Sequence, residues 1–114
     1  MNLIQIADIL DAELAYGSTS WEQTPIHSVF ASDLMSDVLM SDRDDMLLIT
    51  SLSTEQSIRS ADMVGAAAVL VANNKTVTEG MVKLAQEQNI ALLCTPLPKY
   101  ESCIRIGSIM ENGG

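Results

Sequence analysis

The feature that most constrains this chain is a regular alternation of short apolar runs and helical patterns, which begins at His27 and continues to the last residues. The run Met46–Thr50 stays apolar until Thr50, as is typical of a strand buried on both faces of a parallel sheet. Short connections between strands and helices favour crossovers that keep the strands parallel. The sequence therefore predicts an α/β fold with a mostly parallel sheet of four to five strands and helices on both faces.

The individual elements are predicted from hydrophobic periodicity and from turn residues. The predicted strands are Glu13–Tyr16, His27–Ala31, Met46–Thr50, Ala66–Ala72 and Ile90–Thr95. The predicted helices are residues 3–10, Leu34–Met40, a segment from Ser53 to Gly65, a segment from Thr76 to about Gln88, and a last helix that starts at Pro96–Pro98. The first helix and the strand Glu13–Tyr16 are expected to pack at an edge of the sheet.

Four polar residues predict where helices begin or end. Asp33 is expected to cap the helix that follows it. Ser53 and Thr76 each stand three residues before a Gln or Glu, which is the spacing of a capping box. Asn89 is expected to end the preceding helix.

Composition limits the size of the fold and the kinds of partner. The chain has 114 residues, which predicts a single domain spanning 1–114, and its 47% hydrophobic content with only 4% aromatic residues predicts an aliphatic core. Six basic residues against fifteen acidic ones give a net charge of -9. Because nucleic acids and anionic membranes are bound through clustered Lys and Arg, neither is expected as a partner. The acidity favours solubility, and the alternative interpretation is a surface that selects a basic protein.

The cysteines and the first residues of the chain indicate a cellular compartment. Cys94 and Cys103 have neither C-x-x-C spacing nor a second Cys/His pair, so no metal or cofactor is expected. The start of the chain carries no basic region followed by an apolar core, and no apolar run approaches the roughly 20 residues that span a bilayer. We therefore expect a cytoplasmic protein with reduced thiols.

Small polar residues follow each predicted parallel strand and form the candidate ligand site. In an open parallel sheet, ligands bind beyond the carboxyl ends of the strands, where helix N-termini offer free amides to an anion. The strand-end candidates are Ser32, Asp33, Thr50, Ser51, Asn73 and Thr95. The alternative is that these residues only cap helices, as Ser, Thr, Asp and Asn commonly do.

Arg59 is added to the candidate site because it lies in a predicted helix near the Thr50 end of the sheet. It is expected to contact a ligand phosphate, or to form a structural ion pair with Asp33 or Asp37.

No catalytic residue is predicted. His27 is the single histidine, and catalytic use would need a Ser, Cys or carboxylate positioned beside it. Because it begins a strand shortly after Pro25, we expect an ordinary edge position instead. The six glycines never take the Gly-x-x-x-x-Gly-Lys-Ser/Thr spacing of a phosphate-binding P-loop.

The segments Ser32–Leu34 with Ser36–Leu39, Ile49–Thr50 with Arg59, and Ala85–Thr95 resemble the DRTGG domain family. That family is also similar to the N-terminal domain of HPr kinase/phosphorylase, whose kinase activity belongs to a separate domain with a P-loop. The resemblance implies a stand-alone, non-catalytic regulatory module that forms a homodimer and binds a small effector, such as a phosphate-containing one, or a partner enzyme.

Two further hypotheses stay open. One is a small enzyme that acts on a phosphorylated or acyl-phosphate metabolite, with Asp33 and Thr50 as the working groups. The other is an accessory subunit of a redox or fermentative enzyme complex.

Overall fold

The computed structural model describes the backbone of residues 1–113 and the side chains of residues 1–110. Within that range the strands are β1 Glu13–Tyr16, β2 Ser28–Ala31, β3 Met46–Thr50, β4 Ala68–Val71 and β5 Ala91–Cys94. The helices are α1 Leu3–Ile9, α2 Met35–Leu39, α3 Glu55–Met63, α4 Glu79–Gln88 and α5 Lys99–Gly113, with a 3-10 turn at Trp21–Gln23.

The described strands form one five-stranded sheet in the order β1-β5-β4-β3-β2. Strands β2 to β5 pair in parallel, so that Ala31, Ile49, Leu70 and Leu93 lie side by side across the sheet. Strand β1 joins β5 at the edge, antiparallel and with an irregularity after Leu14. The predicted α/β fold with a mostly parallel sheet is confirmed, and β1 lies at the expected edge. Helix α1 was expected at the same edge, but it packs on a face of the central strands.

Side chains of the central strands alternate between two separate cores. Leu47, Ile49 and Leu70 point to the face covered by α1 and α5, where Leu3, Ile6 and Ile106 are buried against them. The opposite face is covered by α2, α3 and α4, and its core contains Val38, Leu48, Ile58, Val69, Met81 and Leu92. Helices therefore cover both faces, which explains why β3 and β4 are apolar at nearly every position.

Three of the predicted helix caps are wrong. The N-cap position of α2 is Leu34, and no side chain caps that helix, because the carboxylate of Asp33 is hydrogen-bonded elsewhere. Ser53 does not cap α3 either: its hydroxyl donates to the carbonyl of Thr76, and the N-cap of α3 is the next residue. Helix α4 begins two residues later than expected, at the N-cap Thr78, whose hydroxyl accepts from the amide of Met81 at 3.1 Å.

Two helix ends agree with their sequence signals. Asn89 adopts a left-handed conformation with φ 55° and closes α4, as predicted. Gly65 has φ 71° just after α3, a conformation in which a residue with a Cβ is strained.

The two-sided core generates a stability prediction. Leu70 is fully buried in β4, whereas Met63 at the end of α3 is 74% exposed. Leu70→Ala should lower the free energy of unfolding by about 3 kcal/mol, because it removes buried methyl groups and leaves a cavity. Met63→Ala should change it by no more than about 0.5 kcal/mol. Urea unfolding followed by circular dichroism measures both, and equal effects would contradict this packing.

Candidate functional site

The carboxyl ends of the parallel strands bring five polar residues together at one edge of the sheet. Thr50 is the last residue of β3, and Ser51 follows it. Asp33 lies between β2 and α2, Asn73 lies beyond β4, and Lys99 begins α5. We call Asp33, Thr50, Ser51, Asn73 and Lys99 the Asp33 cluster, because hydrogen bonds connect all five side chains or their backbones.

The carboxylate of Asp33 is at the centre of this cluster. Its Oδ1 accepts from the hydroxyl of Thr50 at 3.0 Å and from the backbone amide of Ser51 at 2.6 Å. Its Oδ2 accepts from the hydroxyl of Ser51 at 2.5 Å and from Nζ of Lys99 at 2.7 Å. Four donors from two distant segments of the chain therefore converge on one anionic group.

Lys99 and Asn73 connect the Asp33 carboxylate to α5, which lies on the opposite face of the sheet from α2. The backbone amide of Lys99 donates to Oδ1 of Asn73 at 3.3 Å, so the residue beyond β4 caps α5 rather than α4. The Lys99 ammonium then reaches across the strand ends to Asp33. The sequence analysis did not include Lys99 in the candidate site. The signal that could have indicated it is a cation in the first turn of the helix that follows β5.

Hydrogen bonding determines the charge state of Asp33. Partial burial favours the neutral acid, but the hydrogen bonds from Lys99, Ser51 and Thr50 outweigh it and hold the pKa of Asp33 well below its usual range. The carboxylate is therefore ionised at neutral pH, and it is a weak base.

Three residues of the predicted site have other partners. The hydroxyl of Ser32 accepts from the amide of Leu34 at 3.0 Å and turns the chain into α2. Thr95 is buried and donates to the carbonyl of Leu10 at 2.5 Å, on the side of the sheet edge next to β1. Arg59 does form an ion pair, but with Glu55 at 3.3 Å rather than with either predicted aspartate.

The histidine lies beside a carboxylate from a distant segment, and neither thiol is activated. Nδ1 of His27 lies 2.7 Å from Oδ2 of Asp45, with 65% of the histidine side chain exposed. Burial raises the pKa of the Cys94 thiol, and the charge of Glu13 raises it further. Burial also raises the pKa of Cys103, although Lys99 opposes that shift. A raised thiol pKa lowers the thiolate fraction and with it the reactivity.

The described residues contain neither a metal-binding group nor a membrane-spanning helix. Within residues 1–110, no group of three or more His, Cys, Asp or Glu side chains is arranged to hold a metal ion. None of the helices in the described part of the chain combines the length and the apolar character needed to cross a membrane.

One surface concavity lies beside the edge strand β2, and another lies at the carboxyl end of β5. The larger has a volume of about 530 Å³ and lies beside the edge strand β2, lined by Phe30, Asp37, Met40, Ser41, Asp42 and Arg43. The smaller, about 190 Å³, is lined by Asp11, Glu13, Asn74, Lys75, Cys94, Thr95 and Pro96.

A known domain family and a solved structure are similar to this chain. The model of the DRTGG domain family matches residues 5–109 of the chain. The fold is also similar to the crystal structure of the CBS and DRTGG domains of the regulatory region of Clostridium perfringens pyrophosphatase, complexed with the activator diadenosine tetraphosphate. The TM-score is 0.75 at 18% identity, over 92% of this chain and 45% of that chain, so this chain spans less than half of the other. No curated protein matches the sequence.

The lowered pKa of Asp33 generates a pH prediction. A carboxylate whose pKa is lower in the folded than in the unfolded state stabilises the fold above its unfolded value, about 4, and this contribution is lost as pH falls through the folded value. The Asp33 side chain is 41% exposed, so solvent screening reduces the effect. Asp33→Asn should therefore cost about 1 kcal/mol at pH 7, and less at pH 3.

Urea unfolding at the two pH values checks this expectation. Asp42→Asn is the matched control, because Asp42 is exposed and its substitution removes the same charge outside the cluster. An equal loss for both variants, or a loss that does not shrink at pH 3, would contradict the assigned role of Asp33.

Proposed function

This chain belongs to the DRTGG domain family, and from that premise we propose that it is a non-catalytic regulatory module that binds a small anionic effector at the Asp33 cluster. The observation that carries the proposal is the convergence of an ammonium, a backbone amide and two hydroxyls at the carboxyl edge of the parallel strands. These are the donors that recognise phosphate and carboxylate groups. The site lies where open parallel sheets bind their ligands.

The chemistry of the cluster supports binding rather than catalysis. A general base works best when its pKa lies near the working pH, whereas the pKa of Asp33 is held well below its usual range. The hydroxyl of Thr50 donates to that weak base, and its side chain is fully buried. The pair would therefore be a poor nucleophile and base for a phosphorylated or acyl-phosphate substrate.

The structurally similar protein supports a phosphate-containing effector. Its regulatory region is complexed with diadenosine tetraphosphate, an activator that carries four phosphates. An effector of the same chemical class would present several anionic oxygens to Lys99 and Ser51. A partner enzyme would then respond to the effector-bound form of this module.

Amide chemical shifts test the effector site. Adding ATP, diadenosine tetraphosphate or acetyl phosphate to the ¹⁵N-labelled protein should shift the amides of Ser51, Asn73 and Lys99 at millimolar concentrations or below, whereas adenosine should not. Lys99→Ala should abolish these shifts, because it removes the only cation that contacts the cluster among the described residues.

Lys83→Ala is the matched control for this titration, because Lys83 is an exposed lysine on α4. If none of these compounds changes the chemical shifts of the cluster amides, the proposed effector site is wrong. If the wild-type protein hydrolyses acetyl phosphate and Asp33→Asn abolishes this activity, the result would instead favour the enzyme hypothesis.

We also propose that the module is a homodimer that associates through α5. Tyr100 is 78% exposed and Ile104 is 48% exposed, and they lie one helical turn apart on the same side of α5. Aromatic and aliphatic side chains that share one exposed face are typical of interfaces. The side next to them carries Lys99, so association through this helix would place the interface beside the effector site.

Size-exclusion chromatography with light scattering tests the homodimer. We expect a mass near twice 12.3 kDa at high micromolar concentration, and a shift toward the monomer for Tyr100→Ser/Ile104→Ser. Met40→Ser is the control, because Met40 is 84% exposed on the opposite face of the sheet. A monomeric wild-type protein would overturn this proposal.

A further inference from the structure

We propose that the carboxylate of Asp33 is a built-in competitor for the effector, and that an anionic effector binds by displacing it from Lys99 and Ser51. This inference rests on the proposed function, and it explains how binding at the Asp33 cluster is regulated. It also assigns the ligand class, an anion whose oxygens can replace the two oxygens of a carboxylate.

The donor geometry is that of an occupied anion site. Both oxygens of Asp33 are used, and each accepts two hydrogen bonds, at 2.6 and 3.0 Å for Oδ1 and at 2.5 and 2.7 Å for Oδ2. A phosphate has the same need for several donors around neighbouring oxygens, and Lys and backbone amides are common phosphate ligands. The position that an effector phosphate requires is therefore filled by a group of the protein itself.

The local structure around Asp33 does not need its carboxylate. Helix α2 forms without a side-chain cap, and the turn into it is made by the hydroxyl of Ser32. All hydrogen-bond partners of the carboxylate lie 17, 18 or 66 residues away in sequence. Displacing the carboxylate would therefore break long-range contacts and leave the hydrogen bonds of the turn in place.

Exposure allows an effector to compete with Asp33. The side chains of Asp33 and Lys99 are 41% and 33% exposed, while Thr50 is buried beneath them and forms the floor of the cluster. An anion can therefore reach Lys99 from solvent without opening the core. Because the protein has a net charge of -9 and Asp33 neutralises Lys99, a weakly charged anion gains little by binding.

Displacement would transmit the binding event to α2. The bond network of Asp33 ties the connection between β2 and α2 to the end of β3 and to α5. That connection is followed by three exposed apolar side chains, Leu34, Leu39 and Met40. Release of Asp33 would detach this segment from β3 and α5 while its own turn stays intact, so its apolar side chains would take a different position toward a partner.

Pyrophosphate binding to wild-type protein and to Asp33→Ala tests the inference. We expect the variant to bind pyrophosphate about tenfold more tightly or better by isothermal titration calorimetry, because it removes a competitor held by charge-assisted bonds. The amides of Ser51 and Lys99 should shift on binding. Asp33→Ala/Lys99→Ala should lose the gain, since the ammonium is then absent.

Asp42→Ala is the matched control for the removal of one negative charge, because Asp42 is exposed and lies outside the cluster. Its affinity for pyrophosphate should rise by less than about twofold, as expected for the removal of a screened charge. Circular dichroism checks that each variant is folded. If Asp33→Ala unfolds, Asp33→Asn replaces it, and a neutral amide should still raise the affinity above that of the wild type.

The outcomes separate this inference from the proposed function. If Asp33→Ala binds pyrophosphate no better than the wild type or Asp42→Ala, the competitor role is overturned, even where the wild type binds an effector at the cluster. If the variant gains affinity while the wild-type protein responds to none of the phosphate compounds, the competitor role stands and the effector proposal fails. A gain that survives Lys99→Ala would also overturn the inference, because the anion would then bind elsewhere.

Discussion

Parallel pairing of β2 to β5 is the constraint on which the rest of this structure depends. Parallel strands need crossover connections, and here these carry helices to both faces of the sheet, so that the central strands must be apolar on both sides. The same pairing brings all four carboxyl ends to one edge. The two aliphatic cores and the polar cluster at that edge are therefore consequences of one arrangement.

Polar side chains at this edge connect distant segments rather than cap the helices that follow them. Asp33 bonds to the end of β3 and to α5, and Asn73 bonds to the first amide of α5. Ser53 bonds to Thr76, and Thr95 bonds to Leu10. These contacts fasten the loops to one another, so a ligand that replaces one of them would affect several elements together. This coupling is what a regulatory module requires.

Much of the candidate site could be predicted because the rule behind it depends on strand order alone. Asp33, Thr50, Ser51 and Asn73 follow apolar runs, and parallel strands bring such positions together. Lys99 could not be predicted with the same argument, because its distance from Asp33 depends on how α5 crosses to the other face. Arg59 was expected in the site because its helix follows Thr50 in the sequence. It pairs instead with Glu55, which lies one turn earlier on the same helix.

The sequence by itself determined the alternation of strands and helices, the parallel sheet, the aliphatic core and the family. The alternation, the sheet and the core depend on local periodicity and on how much apolar surface each element must bury, whereas the family was indicated by the resemblance of particular segments. Only the tertiary structure decided which donor each polar side chain would find. Asp33 had the right chemistry to cap α2, but Ser51 and Lys99 offer its carboxylate a backbone amide, a hydroxyl and an ammonium at 2.5 to 2.7 Å. Those donors come from segments that meet Asp33 only after the sheet has formed, so no local pattern shows that they bond to its carboxylate.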